Sequence, residues 1–121
     1  MTGDNNPTAK HCKWCVGKND DIFHILTDCK NKEASDYILN CFRKIDAGIL
    51  WFDILYLQIE VNDVELERAT IILASMAIYF LWENKDRGIS AFEMKCELGA
   101  ANIAVCASRY AQAGKKIREL L

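Results

Sequence analysis

Three thiols and an imidazole lie close together near the start of the chain. Cys12, Cys15, His24 and Cys29 are spaced C-x2-C-x8-H-x4-C in a stretch rich in lysine and aspartate, whose main core formers are Ile22, Phe23, Ile25 and Leu26. A segment this polar needs a source of order other than apolar burial. Two cysteines two residues apart, with a second pair of Cys/His ligands beyond a loop, are what a tetrahedral zinc ion takes. Four protein ligands fill the tetrahedron and leave no position for a reactive water, so the expected ion is structural Zn2+.

Local elements must bring these four groups to one point. The Cys12–Cys15 pair reads as a tight turn whose amides face the sulfurs, and Asp20 or Asp21 as the N-cap of a short helix starting at Ile22. His24 then projects from the first turn. Cys29, five residues on, sits about 140° further round an α-helix, so the helix must loosen by Asp28 for both ligands to reach one ion. Asp20, Asp21 and Asp28 could each orient the second ring nitrogen of His24, or serve only as a cap or surface charge. His11, next to the first ligand, is expected to hang free, because adjacent residues rarely face the same ion.

The run Cys12-Lys13-Trp14-Cys15 through His24-Ile25-Leu26-Thr27-Asp28-Cys29 resembles the zinc-binding segment near the C-terminus of non-LTR retrotransposon reverse transcriptases. That segment has the same ligand spacing, acidic residues before the histidine and an apolar helix around it. The later Ala77-Ile78-Tyr79-Phe80-Leu81-Trp82-Glu83-Asn84-Lys85 is similar to the apolar helix that follows the family's finger. The resemblance implies an accessory tail that helps hold RNA or DNA, or a retrotransposon-derived piece working alone. The chain carries no polymerase signature.

On the nucleic-acid reading, Trp14 would stack on a base while Lys10, Lys13, Lys18, Lys30 and Lys32 met phosphates. The alternative for Trp14 is to pack over the finger's own helix. A net charge of −2 is unlike the basic footprint of an autonomous nucleic-acid binder. The charge is uneven: residues 46–67 hold six acidic groups and no basic one, whereas residues 68–121 hold eight basic and five acidic. Such a distribution orients a chain toward a polyanion, or is simply a solvated surface.

Beyond the knuckle the pattern is helical. Residues 33–45 place Ala34, Tyr37, Ile38, Cys41, Phe42 and Ile45 at 3-4 spacing, with Cys41 read as core rather than as a fifth ligand. Residues 49–61 are almost continuously apolar and read as a buried helix, since no second strand run exists to pair with them. Asn62 or Asp63 caps a long helix to about Asp86, apolar on nearly every side from Ile71 to Trp82 and therefore expected at the centre of a bundle. That apolar run is too short to span a bilayer. Ser90 to Glu93 is a capping box opening a last helix. In it, Phe92, Cys96, Gly99, Ile103, Cys106, Tyr110, Ala113, Ile117 and Leu120 form a heptad-like seam, and Gly114 is expected to bend or fray the end. The seam packs on the central helix, or it is a surface for a protein partner or a second copy, built from Cys96, Gly99, Ile103, Cys106, Tyr110 and Ile117.

The reading is thus an all-α chain: one domain over residues 1–121, with a flexible 1–11, a CCHC zinc knuckle over 12–29 and a four-helix assembly with a buried central helix over 33–121. With 51% hydrophobic and 26% charged residues, the composition is that of a globular chain. Six cysteines without an export signal point to reduced thiols in the nucleus or cytoplasm. There is no glycine-rich phosphate loop, and His11 and His24 are the only histidines; Glu65 with Glu67 and Glu93 with Glu97 read as ordinary helix-face charges. Catalysis, a small-molecule substrate and a membrane are therefore not expected.

Overall fold

The computed structural model describes residues 12, 14, 15, 17, 21–27, 29, 30 and 32–121. The expectations for residues 1–11, and those for Lys13, Lys18, Asp20 and Asp28, lie outside the described residues. Six helices follow in order: α1 (Ile22–Thr27), α2 (Glu33–Ile45), α3 (Trp51–Leu55), α4 (Val64–Glu83), α5 (Ala91–Cys106) and α6 (Ala111–Leu120). The described residues contain no strand, so the chain is all-helical as its periodicity predicts. No helix among them is long and apolar enough to cross a membrane.

Each long helix buries the stripe its sequence offers. In α2, Ala34, Ile38, Cys41 and Phe42 turn inward, with Glu33 and Asp36 in the first turn and Arg43 and Lys44 in the last, each sign matching the helix dipole. Cys41 is core, as its place on that stripe implies; burial pushes its thiol up, and Tyr37 beside it is raised to about 12, chiefly by burial. The start of α4 is capped by Asp63, whose Oδ1 accepts the N–H of Glu65 at 3.0 Å and of Leu66 at 3.1 Å. Ser90 caps α5 by accepting the Glu93 N–H at 3.1 Å.

The helix α4 is central, packing against α2, α3, α5 and α6. Ala69, Leu73, Ala74, Ala77 and Leu81 face the core. The opposite side of α4 is open: Ser75, Tyr79 and Trp82 are exposed and Ile78 is half-buried. Small residues on the inner side let the neighbouring helices approach, and the bulky ones are left outside.

Two expected helices differ in extent. The predicted helix over 49–61 shrinks to the five residues of α3. It ends in a Schellman turn: the Gln58 N–H donates to the Asp53 carbonyl at 2.8 Å and the Leu57 N–H to the Ile54 carbonyl at 3.3 Å. Leu57 takes the left-handed position of that turn, with φ 56°. Glycine normally fills this position, so the run Ile54-Leu55-Tyr56-Leu57 carries no stop signal here.

The predicted last helix is split into α5 and α6 by Ala107–Tyr110. Ser108 makes the break: its Oγ donates to the Val105 carbonyl at 2.6 Å and accepts the Tyr110 N–H at 3.1 Å, competing with helical pairing. The break rotates α6, so Ala113, Gly114 and Ile117 turn into the core. Gly114 does not bend or fray the end. It lies within α6 at a close approach to α5, where a Cβ would meet the Cys106 Sγ at 2.8 Å and the Cys106 amide nitrogen at 3.0 Å.

Candidate metal centre

The short helix α1 holds the site together. Asp21 caps it, its Oδ1 accepting the backbone N–H of His24 at 2.8 Å and its carbonyl accepting the N–H of Ile25 at 3.0 Å. His24 is therefore set one turn inside a capped helix end, and its side chain is buried. The helix stops at Thr27, and the Cys29 N–H reaches back to the His24 carbonyl at 2.9 Å. That wider loop is the loosening expected before the last ligand. Ile25 and Leu26, on the other side of α1, are buried, Leu26 within the main core.

The N-terminal pair is shaped by its backbone. The Trp14 N–H donates to the Cys12 Sγ at 3.4 Å, and the Lys30 N–H donates to the Cys15 Sγ at 3.1 Å. Gly17 takes a φ of 76°, turning the chain away just after the second cysteine. The Lys30 amide, with smaller contributions from Cys29, His24 and Cys12, holds the Cys15 thiol below its ordinary range.

One ligand atom from each of Cys12, Cys15, His24 and Cys29 lies within 4.8 Å of every other, and all four residues are buried. The Cys12 and Cys29 sulfurs are 3.6 Å apart, and those of Cys15 and Cys29 3.9 Å. A disulfide needs about 2.05 Å, so these are separate thiols. Metal–sulfur bonds of about 2.3 Å arranged tetrahedrally put neighbouring sulfurs about 3.8 Å apart. The observed separations bracket that edge length, so the donor set fits a four-coordinate metal ion. All four metal-ligand candidates read from the sequence are thus brought together.

The other candidates are dispersed. Trp14 is 37% exposed, and it neither stands clear nor packs over α1 alone: its Nε1–H donates to the Lys85 carbonyl at 3.0 Å, beyond the end of α4. Behind it, Cys12, Ile25, Cys29, Ala34, Leu81 and Ile89 line a cavity of about 20 Å³, room for about one water. Lys30 is exposed; Lys32 lies 3.7 Å from Asp36. Elsewhere, Cys96, Gly99 and Ile103 are exposed on the outer face of α5, and Cys106 and Tyr110 are half-buried. Ile117 is fully buried and leaves the predicted seam, because the break before α6 turns it inward.

Sequence patterns did not single out the Lys30 amide or the Lys85 carbonyl, since any residue supplies such backbone groups. Gly17, two positions after Cys15, was a readable signal of a forced turn. No protein-family model, curated protein or solved structure matches the chain, so its function rests on these four ligands and the surfaces around them.

Proposed function

We propose that the chain is a non-catalytic helical binding module whose N-terminal knuckle is stabilised by one Zn2+ held by Cys12, Cys15, His24 and Cys29. The observation that carries this is the sulfur geometry: separations of 3.6 and 3.9 Å among buried thiols, with backbone N–H groups aimed at the Cys12 and Cys15 sulfurs. Soft thiolates with one imidazole in a tetrahedron select zinc among the common divalent ions. With every position taken by protein, the ion contributes shape and not reactivity.

The exposed groups favour a protein as the bound molecule. Phe23, Phe52, Tyr56 and Tyr79 are all 45% exposed or more, and the Phe52 ring lies against both Phe23 and Tyr56, with centroids 5.8 and 6.2 Å apart. Accessory binding of RNA or DNA, which the likeness to reverse transcriptase tails implies, draws on Lys30 and the open part of Trp14. Against it stand the −2 net charge, the Trp14 N–H engaged by Lys85, and Lys32 beside Asp36.

Elemental analysis tests the metal. One zinc per chain is expected, lost in Cys15→Ser and in His24→Ala; metal-free protein with an ordered α1 would defeat the proposal. Fluorescence anisotropy with single-stranded RNA at low salt tests the nucleic-acid reading. Binding that falls steeply with salt, and less steeply once Lys30 is neutralised, would restore it.

A further inference from the structure

We propose that the groove between the open side of α4 and the α3 turn is the docking site for an amphipathic helix of a partner protein, one with an apolar stripe flanked by lysine or arginine. The inference deepens the binding-module reading and rests on it.

The groove is lined by Ile22, Leu55, Leu57, Ile78, Tyr79 and Trp82, has a volume of about 590 Å³, and is almost wholly apolar. Along α4 it runs from Ser75 to Trp82, about 10 Å at 1.5 Å per residue, which matches two turns of an incoming helix. Helices seat in such grooves through side chains at i, i+3 or i+4, and i+7. The described residues offer no sheet edge, so strand addition is not available to a ligand here. One wall is Leu57, a leucine in the left-handed conformation that glycine adopts at much lower cost. The side chain at this position contributes an apolar surface that glycine would not supply.

Charge selects the occupant. The segment 51–58 that forms one wall of the groove also borders a second cleft, lined by Asp46, Asp53, Glu60 and Glu67. Asp46, Asp53 and Glu67 each use one carboxylate oxygen to accept a backbone N–H, from Gly48, Leu50 and Val61 respectively. Among the described residues none of the four forms an ion pair. Arg43, the nearby cation, donates through Nε to the Ile49 carbonyl instead. An apolar groove and a carboxylate cleft thus flank one segment, and a ligand that satisfies both is a helix with leucine-like anchors and cationic neighbours.

This chain's own helices do not meet that description. The basic helix α6 has its apolar side, Ala113, Gly114 and Ile117, committed to the core. The outer face of α5 has Lys95 and Arg118 beside it, but its centre is Gly99 and it offers no leucine-like anchor between Phe92 and Ile103. No helix among the described residues suits the groove, and the occupant is a helix of another protein.

The test uses the full zinc-loaded chain and two fluorescent synthetic helices of about 16 residues. They share one leucine stripe, and the flanking residues are lysine in one and glutamate in the other. The lysine peptide should bind at least about tenfold more tightly at low salt, a difference of about 1.4 kcal/mol. Ser75→Arg and Tyr79→Arg, both at exposed positions, should each weaken it about tenfold or more while leaving the helical circular dichroism unchanged. Glu60→Lys should weaken binding of the lysine peptide and strengthen that of the glutamate peptide, narrowing the preference from both sides. Equal binding of the two peptides, or binding untouched by Ser75→Arg, would overturn the proposal. So would self-association abolished by Ser75→Arg, or binding of a fluorescent single-stranded RNA by the chain that Ser75→Glu abolishes. Zinc content measured on the same samples separates the failures: zinc-loaded protein without peptide binding sinks only this inference.

Discussion

The indole Nε1–H of Trp14 donates to the backbone carbonyl of Lys85 at 3.0 Å, fastening the N-terminal cysteine turn to the end of α4 across 71 residues of sequence. The Lys85 ammonium in turn sits 4.6 Å from the centre of the Trp82 ring. The knuckle is therefore built against the bundle, and order in one should be felt in the other. Trp14→Phe keeps an aromatic ring but removes the N–H together with half of the indole bicycle. Because the bond is solvent-exposed, water replaces part of it, and the expected loss is about 1 kcal/mol. Hydrogen exchange should quicken at Cys15 and Lys30 and just beyond α4, while metal content is unchanged. Unaltered exchange at Lys30 would mean that the contact does not couple the two parts.

Gly114 allows α6 to lie against the last turn of α5. Asn102 completes the contact, donating through Nδ2 to the Gly114 carbonyl at 2.9 Å. Gly114→Ala gains about 1 kcal/mol of helix propensity and suffers about 1–3 kcal/mol of overpacking against Cys106. The overpacking should win, leaving the variant about 1 kcal/mol less stable in urea unfolding. Pairing Gly114→Ala with Cys106→Ala removes the sulfur a new Cβ would meet at 2.8 Å but leaves the backbone contacts, so part of the loss should be recovered.

The ligand cluster was legible because ligand chemistry demands residue types at fixed spacing: Cys12, Cys15, His24 and Cys29 could be read from the sequence, and the cap of α1 was narrowed to Asp20 or Asp21. The stripe of α2 and the caps at Asp63 and Ser90 were legible for the same kind of reason. What was hidden involves competition between equal patterns. In α5 two stripes share the 4-3-4 step, Phe92–Cys96–Gly99–Ile103 and Met94–Leu98–Ala101–Val105; the second faces the core. Spacing cannot rank them, but volume can, since the second has no glycine at its centre. The break at Ser108 and the turn at Leu57 stayed hidden because a single serine and a leucine carry weak local signals that tertiary packing decides.

Asp63 links pH to stability. The Leu66 N–H, then the Lys116 ammonium at 3.1 Å, hold its carboxyl below the ordinary value of 3.8. A carboxylate lowered in the folded state stabilises above its unfolded value, and that contribution is lost as pH falls through the folded one. Asp63→Asn retains a capping oxygen but loses the charge. It should melt below the parent protein at neutral pH, and the gap should close as acid protonates Asp63. Thermal melts from about pH 6 down to about pH 2.5 check this. A gap that stays constant would assign the whole effect to capping geometry.

Leu57 tests whether the α3 turn is maintained for its backbone or for its side chain. A non-glycine residue at φ 56° costs about 1–2 kcal/mol relative to glycine in this region. Leu57→Ala keeps that cost and removes the side chain; Leu57→Gly removes both. Against the intact protein the two changes mix lost apolar contact with relieved strain, but against each other they isolate the backbone. Leu57→Gly should be more stable than Leu57→Ala by about 1 kcal/mol in urea unfolding, reversing their usual order in helices. Both should lose affinity for the lysine-flanked helix to the same degree, because the groove wall is missing in each. A glycine variant no more stable than the alanine variant would show that the left-handed turn opens once its leucine is gone, and the groove would then owe its shape to the side chain alone.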